Sequence, residues 1–275
     1  ETIELDASYF GALLQYPAAD GDAINYRNFI EKAKAVECYV TLATDLLALA
    51  LLTPPAELGA DCAVGSAQRF GVPMGYGGPH AAFFAIKDEY KRIIPGRIIG
   101  VSIDSNGNPA LRMALQTREQ HIRREKATSN ICTAQALLAI MNGMYAVYHG
   151  AEGIKNIALR IHSLAVYLAK ELENLGYQLH SKSFFDTVTI KTNGDNTLLE
   201  NIRNQALATG FNFNYTKQGF VSIALDETVL PGDLQELISV FAAVKNNSKT
   251  ISLPAAIEVE LSIEKSLIRQ SPFLT

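Results

Sequence analysis

The sequence predicts an α/β fold over its first part and a smaller α+β unit after it. Residues 1–61 alternate short, continuous apolar runs with a helical pattern, which is typical of parallel strands in a sheet covered on both faces. From Gly150 onward the order becomes helix, strand pair, helix, strand pair and helix, which indicates an α+β unit. We therefore expect domains at 1–149 and 150–247, followed at 248–275 by a linker and tail helix.

Length and composition narrow the class of protein. The 275 residues suffice for one large domain or two ordinary ones, and 48% hydrophobic with 19% charged residues suits a globular chain with a sizeable core. A net charge of -4 argues against nucleic acid as the main partner. We find neither an apolar run of about 18 residues nor a signal-peptide pattern, so no membrane association is predicted. Because the chain lacks an initiator methionine, we interpret it as a piece of a longer protein.

The three cysteines, Cys38, Cys62 and Cys132, are odd in number and unevenly spaced. This pattern indicates neither a disulfide framework nor a zinc site, and it favours a reducing compartment. HExxH and EF-hand spacings are absent, as are a recognisable catalytic triad and a paired-carboxylate motif, so no metal is predicted.

Apolar runs and turn residues define the elements of the first part. Gly11–Tyr16 reads as a strand stopped by Pro17, and Tyr26–Val36 carries apolar residues at helical spacing. An apolar run over Asp45–Leu52 ends at a Thr-Pro-Pro sequence. Further strands are predicted at Cys38–Leu42, Asp61–Gly65, Phe83–Ile86 and Arg97–Ile103, with Leu111–Leu115 as a strand or a lead-in and Asp88–Arg92 as a charged helix or turn.

A glycine-rich loop lies between two of these apolar runs. Gly75, Gly77 and Gly78 form part of the sequence GYGGP, in which backbone N–H groups could approach an anion closely. The spacing fits neither the GxGxxG fingerprint nor a Walker loop, and a proline follows instead of a helix start. We favour a structural turn over a ligand loop and keep the three glycines as a candidate backbone loop.

Residues 118–126 hold four basic side chains and a histidine. A cluster of cations is costly unless acids or a bound anion neutralise it, and Glu119 and Glu125 leave an excess of positive charge. Two interpretations stay open: a solvated helix face with ion pairs, or a phosphate- or carboxylate-binding edge. Because neighbouring cations disfavour protonation of His121, we interpret it as a surface or anion-contact residue, not as a general base.

A helix is predicted over Cys132–Val147, with Ser129 or Asn130 as its N-cap. Its apolar face is wide, so we expect it to be well buried. Cys132 lies in the first turn, where a helix dipole lowers a thiol pKa, and a small buried hydrophobe is favoured over a redox-sensing thiol.

After Gly150, apolar residues at intervals of three and four predict a long helix over Gly153–Leu175, with Gly176 as its terminating glycine. The remaining predicted elements are strands at Tyr177–His180, Thr187–Lys191, Phe211–Tyr215 and Gly219–Ala224, helices at Asn196–Ala208 and Asp233–Val244, and a tail helix at Pro254–Ile268.

Three stretches resemble one family. TREQHIRREKATSNICTAQ (117–135), Phe70–Arg92 and Pro95–Gln116 closely resemble blocks of the glycine-decarboxylating P-protein of the glycine cleavage system, a pyridoxal-phosphate enzyme family. The resemblance thins out after Gly150, apart from stretches such as SPFLT at the end. It implies an α/β fold of the aminotransferase type (fold type I): this chain would hold part of the large domain and the smaller α+β domain.

The resemblance also implies which half of the family's two homologous halves is present. The carboxy-terminal half carries the Schiff-base lysine in a His-Lys-Thr-Phe motif, and an ungapped alignment places Ala67-Gln68-Arg69-Phe70 there. Gln68 stands at the lysine position, and a glutamine amide cannot form an imine. The aspartate that pairs with the cofactor's ring nitrogen falls near Leu42, with Asp45 three residues on. The chain is thus similar to the amino-terminal half, and it contains no catalytic residue by this interpretation.

For the whole protein, the resemblance implies glycine decarboxylation with pyridoxal phosphate held by the other half. Carbon dioxide is released, and the aminomethyl group passes to the lipoyl group of the H-protein. The implied partners are the cofactor-bearing half, H-protein and glycine, in a homodimer or two-subunit tetramer located in a bacterial cytoplasm or a mitochondrial matrix. The candidates for facing substrate or partner are His80, Arg118, His121, Arg123, Arg124 and Lys126.

Two alternatives remain beside this hypothesis. The segment could be a catalytically silent scaffold that pairs with the active half. It could also be a fragment of another fold type I enzyme whose lysine lies outside this window.

Overall fold

The computed structural model describes residues 3–78, 81–94, 98–114, 124–126, 135–215, 217–247 and 260–275. Strands β1 (Gly11–Tyr16), β2 (Tyr39–Thr44), β3 (Cys62–Ser66) and β4 (Ala82–Ile86) form one sheet in that order. β1, β2 and β3 are parallel, and β4 runs antiparallel to β3. Helix α1 (Arg27–Ala35) connects β1 to β2, and the short helix α2 (Pro55–Leu58) precedes β3. The strand-helix-strand prediction is confirmed, with β4 as an antiparallel addition.

The expectation that both faces of this sheet are covered is wrong for the described residues. Val40 and Leu42 of β2 are fully buried on one face, in one core with Ile30 of α1. On the other face, Leu13 is 70% and Phe84 48% exposed. The strands are apolar on both faces, but only one face is packed by the elements that the structure describes.

The glycine-rich turn leads from β3 to β4, and the sheet is followed by a hairpin. β5 (Ile99–Ile103) and β6 (Pro109–Met113) pair antiparallel around a turn in which the Gly107 N–H donates to Asp104 O. A 3-10 turn covers Asp88–Tyr90, where a charged helix or turn was predicted, and another covers Ala48–Ala50 within the apolar run after β2.

Helix α3 (Ala136–Asn174) leaves helical geometry at Gly150, where φ is 61° and ψ is -179°. This break coincides with the predicted boundary at Gly150, and the division into domains stays a prediction. The second half of the helix buries one face, as the predicted apolar spacing after Gly150 indicates. The first half does not: Leu137, Ile140, Met144 and Val147 are 60–75% exposed. The expected burial is thus wrong for the described residues, which do not pack against that face. The predicted N-cap lies outside the described residues.

The α+β part is built from β7 (Gln178–Leu179), β8 (Thr187–Lys191), α4 (Asn196–Ala208), β9 (Phe220–Ala224) and α5 (Pro231–Val244). β7, β8 and β9 form an antiparallel sheet in that order. The strand predicted at Phe211–Tyr215 is wrong, since only Asn214 bridges to Ser222. Side-chain contacts hold this stretch instead: Phe213 stacks on Phe241 of α5.

The predicted tail helix is also wrong over its described part, 260–268. Only a 3-10 turn, Lys265–Leu267, forms there. Ile263 and Leu267 are buried in the core, and several backbone groups of this stretch bond to other segments, among them the residues after β2. The Thr53 N–H donates to Leu267 O at 2.7 Å, and the Arg269 N–H donates to Leu51 O at 2.8 Å.

Candidate functional site

The site is at the edge of the sheet where the parallel strands β2 and β3 end. In open α/β sheets, ligands bind outside the carboxyl ends of the strands. Asp45 directly follows β2, and Gln68 and Arg69 follow β3 after one intervening residue. The fold therefore brings Arg69, which follows the aligned lysine position Gln68, into contact with Asp45, which lies three residues after the aligned position of the aspartate.

Gln68 is a half-buried amide with a purely structural set of contacts. Its backbone N–H donates to Ser66 Oγ at 3.2 Å, and its Nε2 donates to Pro73 O at 3.4 Å. An amide nitrogen is neither basic nor nucleophilic, so this side chain cannot form the covalent link that a lysine amine makes.

Arg69 is the cation at the centre of three carboxylates. Its Nη1 lies 3.0 Å from Asp45 Oδ2 and 2.5 Å from Asp186 Oδ2, and its Nε lies 3.9 Å from Glu227 Oε2. Its guanidinium carbon is 5.7 Å from the centre of the Phe185 ring. Asp186 precedes β8 and Glu227 follows β9. One side chain therefore links the four-stranded sheet to the α+β part.

The electrostatics of this cluster follow from burial and from its excess of acids. Burial raises the pKa of Asp45, with Arg69 opposing the shift and the nearby Asp186 adding to it. Burial alone would lower the pKa of Arg69, but the carboxylates of Asp45 and Asp186 outweigh it and raise that pKa. Arg69 is thus a permanent cation at this edge.

Helix α3 fixes the turn that carries Gln68 and Arg69. The Nδ2 of Asn142 donates to Ala67 O at 2.7 Å and to Phe70 O at 2.8 Å. The ring of Tyr145, one turn further along α3, stacks on Phe70 with a centroid distance of 5.5 Å. Sequence reasoning missed Asn142, although a lone amide within an apolar helical stretch was a usable signal. It also missed Asp186 and Glu227, for which the sequence offers no local signal.

The glycine loop makes its own turn. Gly75, Tyr76 and Gly77 all have positive φ. The Gly77 N–H donates to Met74 O, and the Gly78 N–H donates to Gly75 O. Because these donors are used within the loop, the geometry favours the structural-turn interpretation. The role of the three glycines stays a prediction.

Of the candidate residues around the basic cluster, the structure describes only two. His80, Arg118, His121, Arg123 and Cys132 lie outside the described residues. Arg124 and Lys126 belong to a 3-10 turn in which Arg124 is exposed. Both interpretations of the cluster, and the role of Cys132, therefore stay predictions.

Two other kinds of site receive no support from the part of the chain that the structure describes. It contains no group of three His, Cys, Asp or Glu side chains able to hold a metal, and Cys38 and Cys62 are free thiols. Among its helices, none combines the length and apolar character needed to cross a bilayer. A cavity of about 380 Å³ lies between β9 and α5. Its Asp233 carboxylate accepts the Leu230 N–H and so serves the start of α5.

Comparison with known proteins places the chain in a family. The sequence model described as "Glycine cleavage system P-protein" matches residues 1–241. "Glycine dehydrogenase (decarboxylating)" of Synechocystis sp. is 56% identical over 273 residues, which cover 99% of this chain and 28% of the relative. The mitochondrial protein of the same name from Pisum sativum is 54% identical, over 96% of this chain and 25% of the relative. The chain thus spans about a quarter of the length of these relatives.

Solved structures agree with the sequence comparison. A crystal structure of "glycine decarboxylase (P-protein) of the glycine cleavage system, in inhibitor-bound form" superposes with a TM-score of 0.80 at 31% identity, over 89% of this chain and 57% of that one. Serine palmitoyltransferase of Sphingomonas wittichii superposes with a TM-score of 0.57 at 12% identity, over 88% and 56% of the two chains. That second likeness shows the fold alone, and it confirms the predicted α/β fold of type I. With its match over residues 1–241 and these relatives, the chain belongs to the glycine cleavage system P-protein family.

Proposed function

We propose that this chain is part of a glycine decarboxylase that releases carbon dioxide from glycine and transfers the aminomethyl group to the lipoyl group of the H-protein. The observation that supports the activity is the family match over residues 1–241, together with relatives named glycine dehydrogenase (decarboxylating). The whole protein would use pyridoxal phosphate as the electron sink for the carbanion formed when carbon dioxide leaves.

The residues at the described sheet edge do not fit this cofactor. A pyridoxal-phosphate site supplies a lysine amine and a carboxylate for the ring nitrogen. Here the side chain after β3 is the amide of Gln68, and the carboxylate after β2 belongs to Asp45, which already pairs with Arg69. We therefore assign no chemical step to this edge, and the cofactor lies in the other half of the protein.

In this proposal, the segment pairs with the cofactor-bearing half and is inactive alone. Residues 1–149 form the C-terminal part of its large domain and residues 150–247 its small domain. The assembled enzyme is a homodimer or a two-subunit tetramer. Its location is a bacterial cytoplasm or a mitochondrial matrix, in line with relatives from a cyanobacterium and from a mitochondrion.

The decisive experiment uses the complete protein. It is reduced with borohydride in the presence of pyridoxal phosphate, digested, and mapped for modified lysines, while glycine-dependent carbon dioxide release is measured with H-protein. We expect one stoichiometric adduct, on a lysine outside these 275 residues. A stoichiometric adduct on a lysine of this chain would refute the assignment of the cofactor to the other half. An absence of glycine decarboxylation would refute the activity.

The basic cluster then separates two roles for the segment. If it forms a wall of the site or docks the H-protein, reversing the charge of Arg123 and Arg124 to Glu lowers turnover in enzyme that assembles normally. If the segment is a silent scaffold, turnover survives whenever assembly does. Lys155→Glu, on an exposed position of α3, is the matched charge-reversal control. Gel filtration reports assembly for every variant.

A further inference from the structure

We infer that the guanidinium of Arg69 takes the place of the cofactor's ring cation. By pairing with the Asp45 carboxylate, it prevents pyridoxal phosphate from binding at this edge of the sheet. This inference rests on the proposed function and deepens it. If the inference is right, the absence of a lysine at position 68 is only one of two barriers to cofactor binding. The second barrier is an internal ion pair, and restoring the lysine alone does not remove it.

The first step concerns the shape and charge of the group that meets Asp45. A guanidinium is a flat, delocalised cation that stays charged at all ordinary pH values. In pyridoxal-phosphate enzymes, a carboxylate commonly pairs with a flat cationic ring nitrogen. Here the Nη1 of Arg69 lies 3.0 Å from Asp45 Oδ2. The carboxylate at the end of β2 thus already holds a planar cation, supplied by the chain itself.

The second step is that Arg69 is held from several sides. Asp186 Oδ2 lies 2.5 Å from the same Nη1 atom, and only 25% of the Arg69 side chain is exposed. The turn beneath it is fixed by the two hydrogen bonds that Asn142 donates to Ala67 O and Phe70 O. Asp186 lies in the α+β part, so displacing Arg69 would break contacts on both sides of the site at once.

The third step is the charge that remains without Arg69. Asp45, Asp186 and Glu227 bring three carboxylates to one guanidinium. Without the Arg69 guanidinium, the three carboxylates would have no cation to neutralise them. The ring cation of pyridoxal phosphate could then pair with one of them. With Arg69 in place, an incoming ring would have to compete with an intramolecular partner. The cofactor is therefore excluded for two reasons: Asp45 is already paired with Arg69, and position 68 has no amine.

The test compares lysine restoration with and without Arg69 in the complete protein. The variants are Gln68→Lys, Gln68→Lys with Arg69→Met, and Gln68→Lys with Arg203→Met. Arg203, on α4, serves as the matched control because it pairs with Glu200 and lies over Tyr215, away from the sheet edge. Each is incubated with pyridoxal phosphate and reduced with borohydride, and the reduced adduct at position 68 is quantified by peptide mapping.

We expect Gln68→Lys alone, and with Arg203→Met, to give little adduct at position 68, and the Arg69→Met combination to give on the order of tenfold more. Equal labelling with and without Arg69, or stoichiometric labelling of Gln68→Lys alone, would overturn the inference. Arg69→Gln replaces Arg69→Met if circular dichroism shows a loss of folding, and the same comparison decides. A parent protein without glycine decarboxylation would refute the proposed function and leave this comparison intact.

Discussion

Asn142 offers a direct test of how the site is positioned. Its amide donates two hydrogen bonds, to Ala67 O and Phe70 O, and these hold the turn that carries Gln68 and Arg69. Asn142→Asp keeps the shape of the side chain and replaces its two N–H donors with an oxygen. A carboxylate would then face two backbone carbonyls, and all of these groups only accept hydrogen bonds.

The size of the effect follows from these contacts. Asn142 is 7% exposed, so the two carbonyls would lose their donors where water does not readily replace them. Leaving a buried polar group unsatisfied costs about 1–3 kcal/mol, so we expect the free energy of opening the turn to fall by about 3 kcal/mol. At about 1.4 kcal/mol per factor of ten, this corresponds to a population of open turn raised roughly 10²-fold.

Hydrogen exchange of the complete protein measures this opening. The Phe70 and Val72 N–H groups bond to Ala67 O and Gln68 O within the turn, so their exchange should accelerate roughly 10²-fold. The Ile30 N–H, bonded to Tyr26 O at the start of α1, serves as the internal reference. Asn174→Asp, at the exposed end of α3, is the matched control and should leave the turn unchanged. If exchange of the Phe70 and Val72 N–H groups accelerates by less than about threefold in Asn142→Asp, the two hydrogen bonds of Asn142 do not hold the turn.

Two further predictions concern stability. The fully buried His162 accepts the Ser262 N–H at Nε2 and donates from Nδ1 to Phe185 O, and burial lowers its pKa from 6.5. Below pH 6.5 this histidine is protonated in the unfolded chain but stays neutral in the folded one. The free energy of unfolding is therefore unaffected above about pH 7 and falls by up to about 1.4 kcal/mol per pH unit on acidification. His162→Gln should flatten the fall in unfolding midpoint from pH 7 to 5, and an unchanged slope would contradict this account. A Cβ on Gly65 would lie 2.1 Å from Thr44 O and 2.6 Å from the Phe83 ring. A Cβ on Gly143 would meet no described atom within 4 Å apart from its chain neighbours and the backbone of its own helix. Gly65→Ala should therefore destabilise by about 1–3 kcal/mol, and Gly143→Ala in α3 should stabilise by about 0.5–1 kcal/mol, in thermal unfolding; equal shifts for the two variants would refute the packing argument.

Local pattern was enough to find most elements of this fold. The strand over Gly11–Tyr16 and the helix over Asn196–Ala208 form at the predicted residues, because apolar periodicity and a clear stop signal coincide there. The prediction failed where tertiary contacts compete with local pattern. In 260–268, a 3-10 turn replaces the predicted helix, because Leu267 is buried in the core and its carbonyl accepts the Thr53 N–H.

Burial was harder to predict than element type. The apolar residues of the first half of α3 indicate a buried face, but Leu137 and Val147 are 70% and 75% exposed. Apolar periodicity indicates that a helix face is buried, but it does not indicate which segment covers that face. This chain spans about a quarter of its relatives' length, so the covering partner need not lie within the 275 residues.

The candidate site shows the same limit in its chemistry. Alignment with a motif found Gln68, and Asp45 beside the predicted position, because both follow strands whose order the sequence encodes. Asp186 and Glu227 lie more than a hundred residues further along the chain, and only the folded α+β part brings them to Arg69. The sequence therefore predicts that an amide stands at the lysine position, while the structure adds the contact between Arg69 and Asp45. Under the proposed assignment of the cofactor to the other half, the amide of Gln68 and the guanidinium of Arg69 act in the same direction: the first cannot form an imine, and the second already pairs with Asp45.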